Sequence, residues 1–332
     1  MELVALQPTD GPGAETFAGD VQTLEPPIWA RGRKLKRLTA ARRLIMRGRY
    51  DIIHAHSFFP NLYVRAAAAI SPRGMPIVAT LHSGVDDFAK RVPRIVEKKL
   101  ASQTAAIVVV STKQREHYLD HFPERADRIH LIPKGVTKLP LTSRPSSPRP
   151  RDFAVIGRIV PLKRIDTAIR GFAAFASHVG DPNLRLHVIG PETDAVYANE
   201  LRRIAASVPG RPTVIFHGAV WNPFEESNID VLVHASIIEA NPLAILEAAA
   251  RGIPIVCTRA PTISGAIDDR CTTFAAGEEE GLRGALLDVY TNWPDAIDLA
   301  ADAWLTVPDI TDCATAYERL FLDLVRSNGQ AG

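Results

Sequence analysis

The chain has 332 residues and a mass of 36.2 kDa, more than one hydrophobic core ordinarily serves, so two domains of roughly 150 residues each are expected. With 46% hydrophobic and 23% charged residues, and no apolar run near the ~20 residues of a membrane-spanning helix, it is neither disordered, collagen-like nor an integral membrane protein. The net charge of +2 hides an asymmetry: residues 1–150 hold 24 Lys and Arg against 13 Asp and Glu, residues 151–332 hold 15 against 24, and the halves carry +11 and −9.

Met1 to Pro27 contains five acidic residues, no basic one and only short apolar stretches, unlike a secretory leader or transit peptide, so a cytoplasmic location is expected. Short strands are expected at Glu2–Leu6 and Val21–Leu24. Arg31–Arg49 then brings nine Lys and Arg with no acid, and Leu35, Leu38 and Ile45 form an apolar strip on the same helix. Such a segment suits either an anionic membrane surface, at ~1 kcal/mol per basic residue near it, or a solvated face beside a core. A nucleic-acid partner is not expected, because no aromatic residues interleave with the charges. Further strands at Asp51–Ala55, Ile77–Leu81, Ala106–Val110 and Ile129–Ile132, with helical stretches between them, indicate an α/β domain with a parallel sheet.

Residues 138–150 hold four prolines and three serines and read as a linker between a first domain, 1–137, and a second, 151–308. The pattern then restarts with strands at Phe153–Gly157, Arg185–Gly190, Thr213–His217, Asp230–His234 and Ile253–Thr258. Ala314, Tyr317, Leu320, Phe321 and Leu324 recur at spacings of three and four, which predicts an amphipathic helix over 309–328 that packs back onto the first domain. Cys257, Cys271 and Cys313 show no CxxC spacing and are expected to be packing residues.

In doubly wound sheets ligands bind at the carboxyl ends of the strands. After Phe153–Ile156 comes Gly157-Arg158-Ile-Val-Pro-Leu-Lys163, a guanidinium and an ammonium at one strand end with no acid between them. Two fixed cations there could stabilise a departing diphosphate without a metal; two basic residues opening a surface helix could equally be solvated. After the strand ending at His234, Asn241 suits a helix N-cap and Pro242 the first helical position, with Gly252 and Pro254 as the stop, so a helix over 242–251 is expected. Its amino end would favour phosphate. Glu239 precedes that helix and Glu247 lies on it; the first could meet a ligand beyond the helix tip, the second a vicinal diol such as a ribose.

As a set these motifs resemble the retaining glycosyltransferases of family 4. The matching features are Gly157, Arg158 and Lys163 of a Gly-Arg-x4-Lys segment, Glu239 and Glu247 of a Glu-x7-Glu motif, and Gly252-Ile-Pro-Ile-Val256 after a small-residue helix. Asp51-Ile-Ile-His-Ala-His56, Thr80-Leu-His82, Val110-Ser111 through Arg115-Glu116, Ile132-Pro-Lys-Gly-Val136 and Ile189-Gly190-Pro191 follow in the same order. The resemblance implies the GT-B fold, two Rossmann-like domains facing a cleft, and a nucleoside diphosphate sugar of UDP or GDP type held by the second domain. It implies that Arg158 and Lys163 hold the diphosphate, Glu247 the ribose hydroxyls and Glu239 the transferred sugar, with Gly157, Asn241 and Leu243 also among the donor-binding residues. It also implies that Gly218 to Val220 lie against the base and that His82 reaches in from the first domain.

His54 and His56 alternate on one strand with no third ligand apparent and are read as structural; no metal or other cofactor is expected. Three departures stand out. The start resembles a chain lacking its first βα unit, with Gly11-Pro12-Gly13 as a degenerate loop at most. Pro242 removes a backbone donor at the helix tip. Ala260-Pro261-Thr262 replaces a Gly-Gly. The expected function is retaining transfer of a sugar to a hydroxyl of a cell-envelope polysaccharide or glycolipid, at the inner face of the cell membrane. A degraded GT-B protein acting as a nucleotide-binding regulator, and a nucleotide-sugar epimerase, remain alternatives. A nicotinamide dehydrogenase is disfavoured, since no GxGxxG opens either domain.

Overall fold

The structure, a computed structural model, describes residues 3–5, 21–23, 34–48, 50–71, 74–83, 88–141, 148–208, 212–260, 263–267 and 269–329. Among them every strand pair is parallel. The chain divides into two compact units, one of Met1–Pro133 with Cys313–Gly332 and one of Lys134–Asp312.

In the first unit β1 (Leu3–Ala5) pairs with β2 (Val21–Thr23), and β3 (Ile53–His56), β4 (Ile77–Thr80), β5 (Ala106–Val109) and β6 (Ile129–Leu131) follow one another in a four-stranded sheet. Between and around them run α1 (Lys34–Arg47), α2 (Phe58–Ala69), α3 (Arg91–Leu100) and α4 (Thr112–His121). Strands β4 and β5 are buried along their whole length, which explains why they read as unbroken apolar runs and not as alternations. The residues that bear on a first βα unit, Gly11-Pro12-Gly13 included, lie outside the described residues.

Of the two readings of α1, the structure shows the helix beside a core, with its apolar strip largely spent inside the protein. Ala41 and Ile45 are buried against Ala67 of α2, with Leu38 packed beside them, and only Leu35 stays exposed. Arg37, counted among the basic face, is itself buried and donates to the Tyr63 hydroxyl at 3.1 Å. Burying apolar side chains is worth about 1.5–3 kcal/mol each, so the helix gains more from this core than from exposing the strip.

The second unit is built on a six-stranded sheet in the order β12-β11-β10-β7-β8-β9. Its strands are β7 (Asp152–Ile156), β8 (Arg185–Ile189), β9 (Thr213–Gly218), β10 (Val231–His234), β11 (Ile255–Thr258) and β12 (Thr272–Phe274). The last has no counterpart in the sequence reading. Its helices are α5 (Ile165–Val179), α6 (Ala195–Ser207), α7 (Pro223–Glu226), α8 (Leu243–Ala249), α9 (Glu279–Thr291) and α10 (Trp293–Thr306). One face of the sheet is sealed by the Phe153, Phe172 and Phe175 rings, their centroids 5.4–5.9 Å apart. Helices α5 and α9 approach closely where Gly171 leaves room for Leu282.

Residues 138–141 and 149 of the expected linker pack on this unit instead of standing free. The Leu139 N–H donates to the Ala250 carbonyl at 3.0 Å, the Trp304 indole donates to the Leu139 carbonyl at 2.8 Å, and the Arg149 guanidinium lies over the Tyr290 ring. The division of the chain correspondingly falls between Pro133 and Lys134. Helix α11 (Ile310–Gly329) begins in the second unit and continues into the first, where Leu320 joins Val78, Val108 and Ile132. Cys257 and Cys271 are buried with their Sγ atoms 3.3 Å apart, and Cys313 packs beside Leu320's cluster. No helix among the described residues is long and apolar enough to cross a membrane.

Candidate active site

The chain builds β7, moves to β8 and β9 on one side, then returns to lay β10 against the other edge of β7. The loops after β7 and β10 therefore diverge from a topological switch point, the place where such sheets open a crevice.

Three loops on one side are locked by their main chains. Gly157 N–H donates to Ile189 O at 2.9 Å, Ile159 N–H to Pro191 O at 3.0 Å, and Gly190 N–H to Gly218 O at 2.7 Å. Gly190 has φ +149°, and a Cβ there would sit 2.0 Å from the Gly157 carbonyl oxygen, so only glycine lets these two backbones pass. The 3₁₀ turn Pro161–Lys163 follows, and the Ile237 N–H donates to the Leu162 carbonyl at 3.3 Å, joining the loop after β7 to the loop after β10.

That contact brings Lys163 and Glu239 together as a hydrogen-bonded ion pair, each side chain 18% exposed. Burial alone would raise the Glu239 carboxyl, but His234 and the Lys163 ammonium outweigh it and hold the group at about 2. His234, at the end of β10 and 3% exposed, is driven below its ordinary value chiefly by burial and is neutral at pH 7. Its Nε2 stands 3.6 Å from Glu239 Oε1, and neither that atom nor the buried Ser236 hydroxyl has a hydrogen-bond partner among the described residues. Arg158 is exposed and makes no ion pair among the described residues.

The helix tip differs from the expectation. Helix α8 spans Leu243–Ala249, not 242–251, and Pro242 occupies the cap position at φ −74° and ψ 115° with no side-chain cap. Asn241 is buried and is not the N-cap; Leu243 is exposed on the first turn. The boundary falls one residue later than expected because Pro242, whose φ would suit a first helical position, has an extended ψ of 115°. Glu247 is half-buried on α8, and burial raises its carboxyl above the ordinary range, only partly offset by Arg251. Gly218, at φ +71° with open space where a Cβ would be, ends β9, and the half-buried Val220 follows it.

One residue of this neighbourhood was not singled out from sequence. Lys134, within the Ile132–Val136 landmark, extends its ammonium to the Asn241 carbonyl at 2.8 Å, and it feels both Glu239 and Lys163 electrostatically. The bare Pro-Lys-Gly sequence carries no signal for this, because its partner lies 107 residues away.

His82 belongs to the first unit, two residues beyond β4. The sequence showed no third group beside His54 and His56; the structure places His82 Nε2 2.9 Å from His56 Nδ1. His54 is instead tied through Nε2 to the Thr80 hydroxyl at 2.7 Å, and burial, with the neighbouring rings, lowers it to about 3. His56 and His82 thus bond to each other and His54 to Thr80, and no group of metal-ligating side chains suited to an ion occurs among the described residues.

Residues 2–138 match the family described as Glycosyltransferase Family 4, and residues 142–302 match Glycosyl transferases group 1. The chain belongs to the group 1 glycosyltransferases. Among its relatives in that family, the D-inositol 3-phosphate glycosyltransferase of Pseudarthrobacter chlorophenolicus is 26% identical over 77% of this chain and 63% of its own length. That of Paenarthrobacter aurescens is 27% identical over 83% and 70%. The chain thus spans about two thirds of the length of these relatives. The crystal structure of Anabaena HepE in complex with UDP and glucose, 18% identical, overlies 91% of this chain and 85% of its own with a TM-score of 0.74. The α/β fold, with parallel sheets in both units, is that of the GT-B glycosyltransferases.

Proposed function

We propose that this group 1 glycosyltransferase moves a sugar from a nucleoside diphosphate sugar to an acceptor hydroxyl with retention of anomeric configuration. The observation that carries the reading is the Lys163–Glu239 ion pair, which joins the loops after β7 and β10 at the switch point, with Arg158 on the first of those loops and Glu247 on the helix that follows the second. Arg158 and Lys163 are suited to the diphosphate, and Glu247, a half-buried carboxylate raised by desolvation, to a ribose diol that would return the hydrogen bonds burial removes. Glu239 is suited to sugar hydroxyls, since it stays ionised and accepting under all ordinary conditions.

In this reading the bond between the anomeric carbon and the diphosphate oxygen breaks, a bond to the acceptor oxygen forms on the same face, and the acceptor proton passes to the departing diphosphate. The protein positions the partners and stabilises the charge gathering on the leaving group. Guanidinium and ammonium can do this, so the reading asks for no metal. His82 is given a role toward the acceptor hydroxyl.

The acceptor is read as a cell-envelope polysaccharide or glycolipid. The +11 charge of residues 1–150 favours an anionic acceptor or membrane surface, and the relatives named above take their name from one anionic polyol. With the apolar strip of α1 packed inward, a membrane contact would be electrostatic, made by Lys36, Arg43 and Arg47.

Calorimetric titration of the full chain with UDP and with GDP tests the donor half. Binding of one of them that is lost in Glu247→Ala is the expected result; failure of both to bind would sink it.

A further inference from the structure

We propose that Lys134 is a third ligand-binding cation of the donor site, which takes an anionic oxygen of the diphosphate when the donor binds. The proposal rests on the donor-site reading above and adds to it a residue that no part of that reading uses.

The backbone around Lys134 is held firmly within the second unit. A Cβ on the next residue, Gly135, would lie 2.4 Å from the Asp309 carbonyl oxygen, so the chain crosses residues 309–310 at a distance only glycine permits. Val136 N–H donates to Pro308 O at 3.1 Å and Ile310 N–H to Val136 O at 3.0 Å. The ammonium is therefore delivered from a fixed point to the tip of α8.

What it finds there is an incomplete environment. Its one hydrogen bond among the described residues goes to the Asn241 carbonyl, a neutral acceptor, whereas an ammonium has three donors. Burial disfavours its charge and Lys163 repels it; Glu239, the acid that favours it, is already paired with Lys163. A partly buried charge served by a carbonyl alone is poorly compensated, and an incoming anion would supply the missing partner. The anion it suits is the diphosphate that the donor-site reading gives to Lys163, since Lys134 lies in the electrostatic field of both Lys163 and Glu239.

A purely structural lysine would do no more than hold the Asn241 carbonyl. Lys134→Gln separates the two roles, because an amide can still donate to that carbonyl but carries no charge; Lys134→Met removes both functions and Lys134→Arg keeps the charge. The full chain and each variant are titrated calorimetrically with UMP, UDP, GMP and GDP. The expected result is that Gln and Met weaken the diphosphate of the base that binds by about ten- to hundredfold, the worth of a hydrogen bond to a charged group. The monophosphate should change less than about twofold, and Arg should restore most of the loss. Equal losses for mono- and diphosphate, or full retention of UDP or GDP affinity in Lys134→Gln, would overturn the assignment. Wild-type chain that binds none of the four nucleotides would overturn the donor reading itself, an outcome distinct from a wild type that binds and a Lys134→Gln that binds equally well.

Discussion

Each unit contains a glutamate tied to a cation, and the two pairs differ in how completely they are satisfied. In the first unit Glu97 receives Arg65 through both guanidinium nitrogens at 2.7–2.8 Å and the Tyr118 hydroxyl at 2.8 Å, while Arg65 also donates to Thr104 and the Asn61 carbonyl. Both side chains are 4% exposed. In the second unit Glu239 and Lys163 pair at the mouth of a switch point, beside an unpartnered His234 nitrogen, an open Arg158 and a lysine bonded to a carbonyl. The first arrangement has spent the hydrogen bonds of its carboxylate on the fold. The second keeps polar groups in reserve, and a reserve of that kind is what a ligand can use.

The sharpest way to break the comparison is to remove the buried acid. Glu97→Ala leaves the Arg65 charge uncompensated and should cost about 3–5 kcal/mol of unfolding free energy, read by urea denaturation, while nucleotide affinity stays at the wild-type value. Arg158→Ala should do the reverse: turnover falls by on the order of 10²-fold, and stability moves by no more than about 0.5 kcal/mol. A wild-type rate in that variant would remove Arg158 from the site.

Two smaller effects follow from the carboxylates. Burial has raised Glu247, and a ribose diol donating to it would favour its ionised form, so binding at mildly acid pH should release protons. Titrations in two buffers of different ionisation enthalpy measure this release, which Glu247→Gln should abolish. Glu239 titrates at about 2 in the folded chain against 4.5 for the free group, so its contribution is complete above pH 4.5 and fades as pH falls toward 2. The stability difference between wild type and Glu239→Gln should shrink across that window; a difference independent of pH would mean that the ion pair contributes nothing.

Much of the fold was legible because its signals are local. The apolar runs that became β4, β5, β7 and β10 were read to within two residues, since buried parallel strands are continuous in sequence. Strand β12 escaped because Thr272-Thr-Phe274 is three residues long and only its last is buried. The tip of α8 was misplaced because an Asn before a Pro resembles a cap, while Asn241 here turns inward and uses its carbonyl to receive Lys134.

Composition and the order of apolar runs determined the α/β class, and the motif spacing singled out Lys163 and Glu239, because periodicity and turn chemistry are written within a few neighbours. The tertiary structure alone decided that Lys163 meets Glu239, that Lys134 joins them and that the apolar face of α1 turns inward. Each of those outcomes depends on which strands become neighbours and which helix faces cover them, and strand order is set by the burial of the whole unit and not by any one segment.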